Sequence, residues 1–463
     1  MKKLFQFMVV AVAALALYSC TAVKDNDVFE DKQNVSINVI AKADNLISDE
    51  IETKTYIDTY DNVPNTILWG TDEVMMLAIT ASGSTTFTSS SSASASSFSG
   101  QPEATFSFNV ESVPAATSYL YQGLYPLSAA YSSSFNGDTD SANLPSEQHA
   151  TADSYDPAAY IMVAKPESFP EIKKEWQASF RRATALNKIT LNIPSGIPID
   201  KVVITAPHGK YLAGQRSIDL STGESGTIYG GTESIEVNYA TPLTGSNVDV
   251  WFTSWDVEIA AGETLTITVH TTDNNSYTKT ITVPSDSSIK FKEGCLNTLK
   301  ANMARYEKVT SNLSDWSGEY LIVCESESIA FDASCNYGSW NDYIDVTISN
   351  DYIVSNTTTD RAMFTIETME GGYSIKGTSG MYVGIPIGGS GGICQTADRY
   401  LNTISINNGN AVISADATNT YGQVFNCTLR YEDDKGTDDM FCYRFYSGGK
   451  TVQLYKKTMI SNN

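Results

Sequence analysis

The sequence predicts an all-β protein built from three consecutive units. Three observations carry that prediction. Apolar residues alternate at period two in run after run, turn residues separate the runs, and the composition favours strand formers. The 463 residues include 26 tyrosines, and 41% of the chain is apolar, enough to fill real cores. A chain of this length has room for two to four domains.

The chain opens on a leader. Lys2 and Lys3 precede an apolar run from Leu4 to Leu17, and Leu17-Tyr18-Ser19-Cys20 follows. A positive start, a short apolar stretch and a small residue before the break mark a secretory signal. The run is too short for a spanning helix, which needs about 20 apolar residues. Residues 1–19 are read as the signal and 20–34 as a polar tether.

Alternation begins at Val35-Ser36-Ile37-Asn38-Val39. Thr53 to Ile57 leads into Thr66 to Leu77, read as strand, turn and strand. Residues 80–100 are almost all Ser, Thr, Ala and Gly, and are expected to form a loop. Phe106, Phe108 and Val110 resume the alternation, and Tyr119 to Tyr125 is another strand. Residues 132–156 read as loop. These elements make a first unit over 35–168.

A second unit covers 169–304. Ile172, Trp176, Phe180 and Ala183 sit at helical spacing and suggest a helix, whereas Leu186, Ile189, Leu191 and Ile193 change to strand spacing. Further strands are expected at 202–204, 235–237, 248–252, 265–269 and 277–283, separated by Gly, Pro, Asn and Asp. That spacing is the mark of a sandwich. Residues 305–463 hold many short β segments. Two similar openings, Gly372-Tyr373-Ser374-Ile375 and Gly380-Met381-Tyr382-Val383, suggest a compact barrel or trefoil.

Charge and side-chain chemistry exclude whole classes of function. Thirty basic residues face 53 acidic ones, a net charge of −23. Nucleic-acid binding needs basic stripes that displace counterions, so no nucleic-acid partner is expected. Seven cysteines fall at 20, 295, 324, 335, 394, 427 and 442 without any C-x-x-C pair, and core thiols are the expected reading beyond Cys20. His149, His208 and His270 sit in a loop or at strand ends and read as structural. Gly388-Gly389-Ser390-Gly391-Gly392 matches a nucleophile elbow in letters only, because no histidine follows it. The acidic run from Glu432 to Asp439 lacks the spacing of a calcium loop and reads as a solvated hairpin. No metal, no cofactor and no enzymatic activity are expected. In the third unit Trp316, Trp340, Tyr343 and Tyr382 are candidates for stacking on sugar rings, with core packing as the blander alternative.

Several stretches resemble known signals. Cys20 after Leu17-Tyr18-Ser19 resembles a bacterial lipobox, although Tyr18 stands where a small residue is preferred. This implies lipidation at Cys20. Val23-Lys24-Asp25-Asn26-Asp27 resembles the acidic export tag of Bacteroides-type surface lipoproteins. Asp140-Ser141-Ala142 resembles the O-glycosylation sequon of the same bacteria, with Ser141 as acceptor.

Further motifs follow in order: Lys54-Thr55 before a strand, Leu68-Trp69-Gly70-Thr71-Asp72-Glu73-Val74, Leu144-Pro145-Ser146-Glu147-Gln148, Tyr155-Asp156-Pro157-Ala158, and Phe180 through Leu191. With the leader they resemble the fimbrillin-like family, the major fimbrial subunits of type V pili, over residues 20–303. The resemblance implies two tandem β-sandwich domains, exported as a lipoprotein to the outer membrane and displayed in adhesion or fimbriae. In polymerising members an arginine-specific cut opens a groove that a neighbour's strand fills, a sound mode of β-strand addition. Here the first arginine is Arg181, so such a cut before the first unit is impossible, and Lys42 and Lys54 are the remaining candidate processing sites. The extra unit at 305–463 suits a tip-like or accessory subunit. A monomeric surface protein of a nutrient-capture system, binding host or dietary glycans through that unit, is the alternative.

Overall fold

The computed structural model describes residues 33–43, 69, 73–83, 86–92, 103–130, 139–220, 222, 224–333, 343–385, 394–418, 421–434, 440–445 and 448–460. Among them the chain is strand almost throughout, and its one α-helix, Thr357–Arg361, is a single turn. Among the described residues no helix is long and apolar enough to cross a membrane.

The first unit is one eight-stranded sheet. Its spatial order runs Thr86–Ser92, Val74–Ala81, Tyr119–Tyr125, Met162–Ala164, Glu175–Arg182, Gln33–Ala43 and Glu103–Val113, with Glu167–Phe169 paired to Tyr119–Tyr125. The outermost strands Thr86–Ser92 and Glu103–Val113 come close together, so the sheet rolls over on itself. Its inner face buries Ile37, Val39, Met75, Leu77, Phe106, Phe108, Tyr121, Trp176 and Phe180 in one cluster. Each large apolar side chain so buried contributes about 1.5–3 kcal/mol.

Three expectations change here. The Ser/Thr-rich stretch forms the strand Thr86–Ser92, because Val74–Ala81 offers a free edge for its backbone to pair with. Residues 172–183 form no helix: Glu175–Arg182 is a strand with Trp176, Ala178, Phe180 and Arg182 buried in alternation. That strand lies in the first sheet, between Met162–Ala164 and Gln33–Ala43. The chain therefore crosses into the second unit after Arg182 and not at 168–169.

The second unit is a sandwich. A three-stranded sheet, Asn247–Ser254, Ala185–Asn192 and Leu296–Asn302, shares a core with a five-stranded one, Ser276–Thr282, Thr264–Thr271, Ile199–Thr205, Ser234–Leu243 and Glu147–His149. A three-stranded ribbon of Glu224–Thr232, Ala213–Asp219 and Thr139–Leu144 adds to that core. Two of these strands, Thr139–Leu144 and Glu147–His149, come from the connection expected to be loop. The first unit thus reaches into the second. In both units the first strand lies parallel beside the last, Gln33–Ala43 with Glu175–Arg182 and Ala185–Asn192 with Leu296–Asn302.

The motifs that precede and follow this interlock act as locks. Gln148 is fully buried, and its amide accepts from Thr253 N at 3.0 Å and donates to Thr253 O at 2.8 Å, standing in for a neighbouring strand. Asp156 accepts from Ala158 N and His149 N, both at 2.9 Å, and so caps the turn Pro157–Ala159. Trp69 packs edge-on against Phe106, Tyr125 and Phe180.

Only Met303 separates Leu296–Asn302 from Ala304–Lys308, where the third unit begins. Six strands of this unit close a ring: Gln453–Met459, Gly318–Cys324, Phe364–Met369, Gly372–Gly377, Thr403–Asn407 and Asn410–Thr418. The bridges Tyr373–Asn402 and Ala411–Val452 complete the circuit. Three two-stranded hairpins stand between ring strands: Ile329–Phe331 with Tyr343–Asp345, Tyr382–Gly384 with Cys394–Thr396, and Val424–Asp434 with Met440–Phe445. A six-stranded barrel with three hairpins is the trefoil arrangement.

A charged network joins the second and third units. Lys457, with 1% of its side chain exposed, lies 3.3 Å from Asp360 and 4.0 Å from Glu319. Asp360 accepts from Tyr306 Oη and Ser355 Oγ at 2.7 Å and from Asn192 Nδ2 at 2.9 Å. Glu319 accepts from Ser195 N at 3.2 Å. Asn192 and Ser195 belong to the second unit and the rest to the third, so the joint is held by bonds that cross it.

Candidate functional site

The first strand and the slot it fills make the candidate site. Gln33–Ala43 pairs along both edges, antiparallel to Glu103–Val113 and parallel to Glu175–Arg182. Alternation turns Ile37, Val39 and Ala41 inward, each at most 1% exposed, while Ser36, Asn38 and Lys42 face solvent. Facing them across the pairs are Phe108 opposite Ile37, Phe106 opposite Val39, and Trp176 beside Val39. The outward side is polar: Ser36 Oγ donates to Asn109 Oδ1 at 2.8 Å and Ser107 Oγ to Asn38 Oδ1 at 2.9 Å. Burying Ile37 and Val39 contributes about 1.5–3 kcal/mol each, and each backbone bond a net ~1 kcal/mol. Taking the strand out would leave two unpaired edges above an apolar floor, the geometry that strand addition requires.

The predicted processing residues relate to this slot differently. Lys42 is exposed and pairs with Glu103 at 3.4 Å, but its backbone lies between Glu103 and Ser179 inside the sheet. A protease binds its substrate as an unpaired extended segment, so cleavage at Lys42 requires the strand to leave first. Lys54 lies outside the described residues, as does Cys20. Ser141 sits in Thr139–Leu144, the outer strand of the ribbon, opposite Ser217.

The described aromatic candidates of the third unit, Trp316, Tyr343 and Tyr382, lie on different segments. Trp316 is 3% exposed and packs in the barrel core near Tyr320, so its ring cannot meet a sugar. The bland alternative holds there: the core needed a large ring beneath the turn that opens Gly318–Cys324. Tyr343 is exposed on one hairpin, edge-on to Tyr431. Tyr382 lies on another hairpin, with Lys376 Nζ 5.8 Å from its ring centre. Trp340 lies outside the described residues. Among the described residues, no group of three or more His, Cys, Asp or Glu is placed to hold a metal ion. Cys324 is buried, and burial pushes its thiol up, away from nucleophilic use.

Sequence reasoning missed the joint. Tyr306, Ser355, Asp360 and Lys457 are scattered along the chain, and nothing in their local context marks them as partners. The one available signal is the short Asn356-Thr357-Thr358-Thr359 run, where Asn356 caps the helical turn that presents Asp360.

No family model matches the chain, and no curated protein matches it. Solved structures do resemble it. A candidate cell adhesion protein from Bacteroides uniformis is similar over 58% of this chain and 93% of its own, at 11% identity and a TM-score of 0.35. Another from Bacteroides fragilis covers 62% of this chain and 95% of its own, at 12% identity and a TM-score of 0.38. The tip fimbrial protein Mfa3 from Porphyromonas gingivalis, truncated at its C-terminus, covers 54% and 82%, at 12% identity and a TM-score of 0.27.

Proposed function

We propose that the chain is a cell-surface adhesion protein, or an accessory and tip-like fimbrial subunit, without catalytic activity. It is held at the outer membrane through lipid on Cys20 and meets other subunits by strand addition. The observation that carries this reading is the first strand. It completes the inner face of the first unit and is bonded along both edges. A strand so placed can be supplied by a neighbour at little cost, because the neighbour restores the same bonds and the same buried side chains. The leader, the acidic tether and the bulky third unit support display at the surface and a terminal place in any assembly.

Lysine-specific proteolysis of the purified mature protein, followed by native mass spectrometry, tests the reading. Trimming followed by ladders of oligomers, or by capture of a synthetic peptide with the sequence of residues 33–43, is the expected result. A trimmed chain that stays strictly monomeric and ignores the peptide refutes strand addition.

A further inference from the structure

A trough of about 1260 Å³ lies between the second and third units. Its floor is the outward face of the three-stranded sheet, where Lys188, Thr190 and Asn192 alternate with the core residues Ile189 and Leu191. Residues 150–153, from the segment of the first unit that reaches into the second, 240–244 of the second unit, and Ser355, Asn356, Thr357, Asp360 and Arg361 of the third line its rim. Typical small-molecule pockets hold about 300–1,000 Å³, so this space suits a chain-like ligand of several residues.

The chemistry of the lining narrows the class. Three cations, Lys188, Lys300 and Arg361, stand against three anions, Asp153, Asp249 and Asp360, so the trough has no net charge with which to select an ion. Threonine hydroxyls and asparagine amides are interspersed with short apolar groups such as Ala240 and Pro242. Leu243, Val248 and Leu299 also line the trough, but Lys188, Thr190, Asn192 and Asp249 interrupt that apolar surface and leave no unbroken floor for an acyl chain. The floor is a sheet face and not a sheet edge, so a peptide would find no row of backbone partners there. A ligand with a rim of hydroxyls around C–H faces matches it.

The polar groups are already fixed. Lys188 is 6% exposed, with Nζ 3.5 Å from Asp249 Oδ2 and 5.5 Å from the Trp251 ring centre. Thr190 Oγ1 donates to Asp249 Oδ1 at 2.5 Å. From the floor Asn192 Nδ2 donates to Asp360, on the third-unit wall, at 2.9 Å. Groups held this way lose little freedom when a ligand arrives, which favours affinity. We infer that the trough between the second and third units binds a neutral oligosaccharide segment. Neither Tyr343 nor Tyr382 lines the trough.

The inference rests on the adhesion reading for its biological meaning, but it is tested separately. Isothermal titration calorimetry of the mature chain would use maltohexaose, cellohexaose, xylohexaose and mannohexaose at up to millimolar concentrations, with hexagalacturonate as the charged comparator. Thr298→Trp and Asn247→Trp each place an indole over the floor from solvent-facing positions on opposite strands of the three-stranded sheet. Tyr382→Ala removes a ring elsewhere on the third unit, and thermal melting checks that every variant folds. The expected result is that at least one neutral hexasaccharide binds, that a floor variant weakens it about tenfold or more, and that Tyr382→Ala leaves it unchanged. The inference is overturned if no neutral member binds, if hexagalacturonate binds best, if both folded floor variants bind as before, or if Tyr382→Ala abolishes binding. Strand exchange is read by mass spectrometry, so failure here leaves that reading standing, and the reverse is also true.

Discussion

Replacing Asp360 by alanine should loosen the third unit more than almost any other single change at the joint. The carboxylate neutralises Lys457, which is 1% exposed, and accepts from Tyr306, Ser355 and Asn192. Without it the buried ammonium keeps, among the described residues, Glu319 at the limit of ion-pair distance, 4.0 Å away, and the Tyr306 ring at 5.8 Å. Breaking a buried pair from one side costs about 3–5 kcal/mol, because the remaining charge stays out of water uncompensated. For a unit of this size each kcal/mol moves the midpoint by about 2–4 °C, so the third-unit transition should fall by about 6–20 °C in differential scanning calorimetry. Asp360→Asn keeps an acceptor and should lose less, about 1.5–3 kcal/mol. Removing all three buried charges together, in Asp360→Leu with Lys457→Met and Glu319→Gln, should recover most of the loss. A single-variant loss below about 1 kcal/mol, or a triple variant no better than the single, would refute the claim that this network holds the joint.

Three further outcomes follow from the same structure. Trp316→Ala should cost about 3–5 kcal/mol by emptying the barrel core, whereas Tyr343→Ala at the surface should stay within about 1 kcal/mol; equal effects in urea melts would contradict the burial assignments. Gly384→Ala would set a methyl carbon 2.3 Å from Tyr400 Cγ and 2.7 Å from its Cβ, so about 1–3 kcal/mol should be lost, and Tyr400→Gly in the same chain should relieve the clash. Burial pushes Tyr121 and Tyr155 up to about 12, and Tyr125 and Tyr306 higher still. In the unfolded chain these phenols ionise near pH ~10, so their contribution is complete below that value and is lost as pH climbs toward the folded values. The loss is about 1.4 kcal/mol per pH unit for each phenol, and phenolate absorbance from these residues should rise together with loss of circular dichroism. Full ionisation near pH ~10 with the fold intact would contradict it.

The alternation of single strands was readable, and pairings between distant strands were not. Val35 to Val39, Phe106 to Val110 and Leu265 to Val269 show their buried face in the letters alone. Trp176 and Phe180 misled because residues four apart share a face in a strand as well as in a helix. Ala178, buried between them, was the deciding residue, and alanine carries little weight in an apolar count. The unit boundary was misplaced for a related reason. Glu175–Arg182 belongs to the first sheet through a parallel pairing with Gln33–Ala43, and no local signal marks a partner so far away. The Ser/Thr-rich strand Thr86–Ser92 was hidden because its backbone pairing, not its side chains, places it. At the candidate site, the inward set Ile37, Val39 and Ala41 was legible as a pattern. That Lys42 lies within a doubly paired strand was not, since both partners are remote in sequence.

The parallel pairing of first and last strands has a mechanical meaning. In each of the first two units the chain enters on one strand and leaves from a parallel neighbour, so entry and exit lie at opposite ends of the pair. A pull along the chain therefore slides the two strands lengthwise and strains all the hydrogen bonds between them at once. A hairpin pulled from its open end would give them up one by one. Two such shear clamps stand in series along the chain between Gln33 and the third unit, so a lengthwise pull meets two sets of bonds that must break together.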